Sequence, residues 1–264
     1  MNIEQDFLPI IHNAGREIMK VYETDFKVSW KSDESPLTEA DQISHEIITK
    51  GLKKCFPDIP IISEEGSSRG YEDRFNWDKY FLIDPLDGTK EFLKKNGEFT
   101  VNIALIEINR PVFGMIHIPF EGKTFWGGKN YKAMQFHNGE ISAISVEKNI
   151  DNQYSILTSR SHKNPELILG IKNIKKRVSA KTIEIGSSKK FCNLAQDDSM
   201  IYPRFGLTSE WDIAAGHAII ESLGGMMTRL DGTEIKYNLR ETFLVSDFIA
   251  SLDKELIKSL IGNL

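Results

Sequence analysis

The sequence predicts a mixed α+β fold, and three observations carry that reading. Two stretches near the N-terminus repeat apolar residues every three to four positions, the period of an amphipathic helix. Between residues 61 and 126, short apolar runs alternate with turns, as the strands of a sheet do. The second half then mixes both patterns again. Ile3, Phe7, Ile10, Ile11, Ala14, Ile18 and Val21 mark the first helix. Ala40, Ile43, Ile47, Leu52 and Cys55 mark the second, with Thr38 placed to cap its start and Pro57 to end it, because proline cannot continue the hydrogen-bond ladder. Residues 61–62, 80–83, 99–108, 112–118 and 124–126 read as strands. Further strands are expected at 155–157 and 200–202, and helices at 165–171, 187–195 and 212–223, the last closed by Gly224-Gly225. The polar stretch 147–153 separates the halves. It divides the sequence into an N-terminal α+β lobe over residues 1–150 and a C-terminal α/β lobe over 151–264.

Composition narrows the function. The chain has 264 residues, 40% of them hydrophobic and 27% charged, which is enough to build a sizeable core. Lysine plus arginine number 33 against 38 aspartates and glutamates, a net charge of −5, so no basic field exists to hold a nucleic-acid polymer by counterion release. The basic run Lys172, Lys175, Lys176 and Arg177 reads as a solvated helix end, with an anion patch as the alternative. Cys55 and Cys192 form no CxxC pattern and lie among apolar residues, which predicts two buried thiols in a reducing compartment. Residues 1–11 contain no lysine or arginine and are interrupted by Pro9, unlike a secretory signal, and no run approaches the roughly 20 apolar residues of a membrane span. The expectation is a soluble cytoplasmic monomer, with peripheral contact at the inner face of the membrane left open.

The chemistry concentrates in residues 81–92, Phe-Leu-Ile-Asp-Pro-Leu-Asp-Gly-Thr-Lys-Glu-Phe. An apolar run ends in Asp84 and Asp87, followed by Gly88-Thr89, in the manner of a strand end feeding a helix. Pro85 biases Asp84 toward extended geometry, and Gly88 lets a ligand approach the backbone, so both carboxylates can face one cavity. The Gly88 and Thr89 amides are placed to receive an anion. Two carboxylates about 4 Å apart repel by roughly 4 kcal/mol at an effective dielectric of 20, which calls for a proton or a cation, and oxygen ligands favour Mg²⁺. Taken alone, the same D-x-x-D-G also describes a turn and a helix cap. It is not an EF-hand, because the acids of loop positions three, five and twelve are missing. Glu64-Glu65 follow another apolar run, Asp41 stands at the start of the second helix and Asp212 opens a later one; each also fits a loop or cap. The sequence lacks HExxH, GxSxG, Walker A and GxGxxG patterns.

Together, Asp41, Glu64-Glu65, residues 84–89 and Trp211-Asp212-Ile213-Ala214-Ala215-Gly216, in this order, resemble the inositol monophosphatase superfamily of Mg²⁺-dependent, lithium-sensitive phosphatases. Residues 88–92 and 96–104, with Ser159-Arg160-Ser161-His162, residues 186–192 and Tyr202-Pro203-Arg204-Phe205-Gly206, resemble its 3'(2'),5'-bisphosphate nucleotidase branch. The likeness runs from Lys31-Ser32-Asp33 through Pro36 to the end of the chain. It implies a layered αβαβα sandwich and removal of the 3'-phosphate from adenosine 3',5'-bisphosphate, and from its sulfated relative, in sulfur assimilation. An inositol or fructose phosphatase is the alternative. By the same resemblance, Glu64, Asp84, Asp87, Asp212 and the Leu86 carbonyl hold two to three Mg²⁺ ions, and Thr89, backed by Asp41, orients and activates the attacking water. The implied substrate contacts are Glu64, Leu86, Asp87, Gly88, Thr89 and Asp212, joined by His162, Ser187, Lys190 and Arg204 around the 5'-phosphate and adenosine. Each of these last four has a plainer reading: a turn residue, a cap, a solvated side chain and an ion-pair partner, respectively. Such chemistry suits the residues, since a phosphate monoester dianion is nearly inert until its charge is neutralised and its leaving oxygen stabilised. A nucleotide-binding protein without turnover is disfavoured, because every acid and Thr89 are present.

Overall fold

The computed structural model describes residues 2–25, 28–30, 36–66, 70–161 and 164–262. The first apolar stripe forms a π-helical turn (Ile3–Phe7) that runs into α1 (Leu8–Tyr22). Phe7, Ile11, Ala14 and Ile18 are fully buried, so the stripe covers a core. A short hairpin, β1 (Val28–Trp30) and β2 (Pro36–Thr38), leads to α2 (Glu39–Cys55), which packs on α1. The Asp41 carboxylate accepts both the amide (2.8 Å) and the hydroxyl (2.6 Å) of Thr38, fixing the start of α2, and the helix stops two residues before Pro57.

Seven strands then form one sheet in sequence order: β3 (Ile61–Ser63), β4 (Lys79–Asp87), β5 (Thr100–Glu107), β6 (Arg110–Ile118), β7 (Lys123–Gly128), β8 (Tyr131–His137) and β9 (Glu140–Ala143). β3 and β4 are parallel and the remaining pairs antiparallel. Helix α3 (Tyr71–Arg74) lies between β3 and β4, and α4 (Thr89–Leu93) follows β4. Side chains alternate across this sheet. Phe81, Ile83, Val101 and Ile103 pack toward α1 and α2, whereas Tyr80, Leu82, Ala104 and Ile106 pack the other way.

The remaining chain supplies β10 (Tyr154–Ser159), α5 (Pro165–Lys175), β11 (Ala180–Ile185), α6 (Lys189–Leu194), β12 (Met200–Arg204), β13 (Thr208–Ser209), α7 (Glu210–Ser222), β14 (Met226–Arg229), β15 (Leu244–Val245), β16 (Phe248–Ser251) and α8 (Lys254–Leu260). A five-stranded sheet runs β11-β10-β12-β16-β14, and β13 pairs with β15. Helices α6 and α7 fill the space between the sheets: Phe191, Leu194, Ile213, Ala214 and Ile219 share one buried cluster with Leu82 and Ile116 from the first sheet and Leu157, Tyr202 and Phe248 from the second. α5 and α8 cover the far face, packing Ile174, Leu256, Ile257 and Leu260 on Ile156, Ile201 and Ile249. The result is the five-layer αβαβα sandwich that the resemblance implied.

Three expectations need correcting. Cys192 is buried between the sheets, but Cys55 is exposed, because it ends α2 on the solvent side. α5 extends to Lys175, and its basic end is solvated around the buried Ile174. α6 begins only at Lys189, since Ser187 adopts a left-handed backbone (φ 47°) that a helix cannot include. Gly224, also left-handed (φ 81°), closes α7 as expected. Among the described residues no helix is long and apolar enough to cross a membrane.

α7 approaches the first sheet closely at Gly114 on β6, where a Cβ atom would sit 2.1 Å from the Ala215 carbonyl oxygen. Backbone cannot move aside as a flexible side chain does. Gly114→Ala is therefore expected to lower unfolding free energy by about 1–3 kcal/mol in urea titrations, and unaltered stability would contradict this packing.

Candidate active site

The site begins with an irregularity in β4. In a regular strand, residues three apart point to opposite faces. Here β4 pairs Asp84 with Asn102 but Asp87 with Thr100, so β4 carries one surplus residue, a bulge at Pro85-Leu86. Pro85 suits that position because it has no amide to offer a ladder, and its carbonyl accepts the Ser44 hydroxyl of α2 at 2.7 Å. The surplus residue lets both aspartates line one cleft.

Asp84 is 1% exposed; its Oδ1 accepts the Leu86 amide at 3.0 Å, and its Oδ2 has no hydrogen-bond partner among the described residues. Glu64 follows β3, whose parallel pairing with β4 is extended by a 3.2 Å bond from the Glu64 amide to the Ile83 carbonyl. Asp212 lies in the first turn of α7 and accepts the Thr208 hydroxyl (2.7 Å) and the Ser209 amide (3.1 Å). Two residues earlier, the fully buried Glu210 accepts the Asn238 amide at 2.9 Å and Arg240 at 3.1 Å, anchoring that turn. One carboxylate oxygen from each of Glu64, Asp84 and Asp212 lies within 4.8 Å of the others. Asp87 stands beside them with Oδ2 taken by the amide (2.6 Å) and hydroxyl of Ser188.

Burial, and then the neighbouring charges of Glu64, Asp87 and Asp212, push the Asp84 carboxyl well above its ordinary range. Burial followed by repulsion from Asp87 and Glu64 pushes Asp212 up to about 7, against the opposing bonds from Thr208 and Ser209. A buried oxygen without a donor, inside a set of hard oxygen ligands that resist ionising together, fits a divalent cation.

Thr89 opens α4, its hydroxyl within reach of Asp41 Oδ1 (3.3 Å) and the Leu86 carbonyl (3.4 Å). Asp41 is buried behind it, outside the cleft lining. Gly88 caps α4 with φ 90°, and a Cβ there would stand 3.0 Å from the Glu98 carbonyl and from Ser187. Glycine is required on both counts.

The opposite wall carries Ser187, Lys190, Tyr202 and Arg204, and the cleft encloses about 280 Å³. Lys190 is 4% exposed, not solvated; Nζ donates to the carbonyls of Ser187 (2.6 Å) and Ile185 (3.2 Å) and lies 5.3 Å over the Tyr202 ring. Burial lowers its pKa to about 8. Arg204 donates to the Leu207 carbonyl at 2.9 Å. Ser187 precedes the helix cap, which is Ser188. Glu98 grips Arg160 through two bonds (2.7 and 2.8 Å) and accepts the Gly186 amide (2.8 Å), holding this wall to the first sheet.

Glu64, Asp84, Leu86, Asp87, Gly88, Thr89, Ser187, Lys190, Arg204 and Asp212 thus line one cleft. His162, with Lys31, Ser32 and Asp33, lies outside the described residues. Thr38, read from the sequence as the cap of the second helix, is that cap and holds Asp41; Ser209, which holds Asp212, went unread although Ser209-Glu210-Trp211-Asp212 repeats the S/T-x-x-D pattern of Thr38-Glu39-Ala40-Asp41. Ser188 and Tyr202 carry no such local signal.

A model of the inositol monophosphatase family matches residues 7–264, and the chain belongs to that family. The 3'(2'),5'-bisphosphate nucleotidase CysQ of Buchnera aphidicola is 43% identical over 246 residues, covering 92% of this chain and 91% of that protein. CysQ of Salmonella typhimurium is 41% identical over 241 residues, covering 90% and 95% respectively. The crystal structure of CysQ from Bacteroides thetaiotaomicron, described as a bacterial member of the inositol monophosphatase family, superposes with a TM-score of 0.79 at 34% identity, covering 92% of this chain and 94% of that one.

Because the Asp212 carboxyl titrates higher in the folded than in the unfolded chain, its contribution to stability is full below about pH 4 and is lost as pH rises through about 7. In chelator, the unfolding free energy of Asp212→Asn relative to the wild type should therefore rise by about 2 kcal/mol or more between pH 4 and pH 7.5, measured by urea unfolding. A difference that stays flat with pH would show that the carboxylates do not strain one another. Adding Mg²⁺ at pH 7.5 should stabilise the wild type.

Proposed function

We propose that this chain is a Mg²⁺-dependent phosphatase that removes the 3'-phosphate from adenosine 3',5'-bisphosphate, giving AMP and phosphate, and that also accepts the sulfated relative of that nucleotide in sulfur assimilation. The observation that carries the proposal is a carboxylate cluster sharing one cleft with a wall built around Lys190 and Arg204. The 41–43% identity to two bisphosphate nucleotidases over nine-tenths of the chain supports the choice of substrate.

Glu64, Asp84, Asp87, Asp212 and the Leu86 carbonyl are assigned to two or three Mg²⁺ ions. When bound, these ions neutralise phosphate charge, acidify the attacking water and stabilise the departing oxygen. The Thr89 hydroxyl directs its proton to Asp41 and so presents a lone pair that orients the water; as the water attacks phosphorus, Thr89 takes its proton and passes its own to Asp41. Asp41 serves this step because Thr38 holds it in place through its other oxygen. At the far wall, Lys190 keeps one N–H beyond its two carbonyl bonds, and with Arg204 and Ser187 it is assigned to the 5'-phosphate. The site draws on both proposed lobes: residues 1–150 supply most metal ligands, and 151–264 supply Asp212 and the nucleotide contacts.

Phosphate release with Mg²⁺ should strongly favour adenosine 3',5'-bisphosphate over inositol 1-phosphate and fructose 1,6-bisphosphate. Preference for a sugar phosphate would keep the carboxylate roles and overturn those of Ser187, Lys190 and Arg204. Thr89→Val should lower kcat by about 10²–10⁴-fold with little change in KM, and a wild-type kcat would remove Thr89 from the proton path.

A further inference from the structure

Ser188 joins three parts of the site. Its amide donates to Asp87 Oδ2 at 2.6 Å; its hydroxyl oxygen touches that same Oδ2, approaches the Asp212 backbone carbonyl at 2.6 Å and accepts the Asn102 side-chain amide at 2.9 Å. Ser188 and Asn102 are 3% and 1% exposed, so water does not compete for these bonds. Since Asn102 occupies an acceptor position on the hydroxyl, the single hydroxyl hydrogen is directed toward the other two partners and serves one of them at a time. Asn102 is itself informative. Its buried Oδ1 has no hydrogen-bond partner among the described residues, so this side chain sits in the core at the expense of an acceptor unsatisfied by them while its donor holds Ser188.

We propose that Ser188 is a positioning residue for the metal centre. It fixes Asp87, at the end of β4, against the first turn of α7, and so sets the separation of two ligands drawn from distant parts of the chain. With Oδ2 occupied by Ser188, it is the other oxygen of the Asp87 carboxylate that would serve a cation. The inference rests on the proposed assignment of Asp87 and Asp212 as metal ligands, and it adds a residue that acts through them and stands outside the ligand set proposed above. Bonds that orient a metal ligand typically change metal affinity 10–100-fold.

The test is Mn²⁺ binding without substrate, followed by the electron paramagnetic resonance of free Mn²⁺, for the wild type, Ser188→Ala, Asn102→Ala and Asp87→Asn. Ser188→Ala should raise the Mn²⁺ Kd about 10–100-fold, and Asn102→Ala should shift it less in the same direction. The Mg²⁺ concentration for half-maximal activity should rise in step, while kcat at saturating Mg²⁺ recovers and KM for the nucleotide moves less than about twofold. Asp87→Asn should not recover. An unchanged Kd in Ser188→Ala would overturn the proposal, as would a loss of kcat that excess Mg²⁺ does not restore. Weakened Mn²⁺ binding in Ser188→Ala, in a protein that hydrolyses none of the nucleotides, would support it and overturn only the substrate assignment. A wild type that binds no Mn²⁺ would overturn the metal assignment and this inference together.

Discussion

Mutual repulsion among Glu64, Asp84, Asp87 and Asp212 is the interaction around which the structure is arranged. A single pair about 4 Å apart is worth roughly 4 kcal/mol at an effective dielectric of 20, a large fraction of the stability of an ordinary domain. The chain answers with fixed dipoles. Asp84 accepts the Leu86 amide, Asp87 the Ser188 amide and Asp212 the Ser209 amide, while Asp41 behind them accepts that of Thr38. Backbone donors cannot swing away, so the carboxylates are held in a geometry they would not choose. A cation relieves that strain, and a site left short of positive charge is ready to bind one.

The layered architecture makes this possible. Three of the acids lie at or beside the ends of two parallel strands of the first sheet, and the fourth comes from α7, the helix sandwiched between both sheets. Because α7 packs on the first sheet with backbone nearly touching at Gly114, Asp212 keeps a fixed position relative to β4 and β5. The Glu210 network holds the start of the same helix from the other side.

Much of this was legible from local sequence. The helical stripes, the strands from residue 61 to 126, and the run from Asp84 to Thr89 announce themselves through period and turn chemistry, and Asp41, Glu64 and Asp212 fall into the cleft or directly behind it. What local patterns miss is pairing between distant segments. β8 is half-buried without a strict apolar alternation, β9 is exposed, and β14 and β16 join the second sheet through contacts that no short window contains. Lys190 was open to a solvated reading because lysine usually is; the Ser187 and Ile185 carbonyls converging on it, the Tyr202 ring beneath it and the nearby charge of Asp87 make its burial tolerable. Cys55 misled in the opposite sense, since an apolar context at the end of a helix does not guarantee cover.

The bulge in β4 also shapes how this sequence can vary through descent. Removing Pro85 or Leu86 would give β4 and β5 an uninterrupted ladder, a more regular sheet with Asp84 and Asp87 two residues apart on one face, yet it would take away the surplus residue through which the Leu86 amide turns back onto Asp84 and the Pro85 carbonyl accepts Ser44. Substitutions from Tyr80 to Ile83 are judged by ordinary packing, but any change between residues 84 and 87, in identity or in length, is judged by the cleft as well. A length change there therefore meets the cleft directly, whereas one in the exposed turn at Asn138-Gly139, between β8 and β9, meets only solvent.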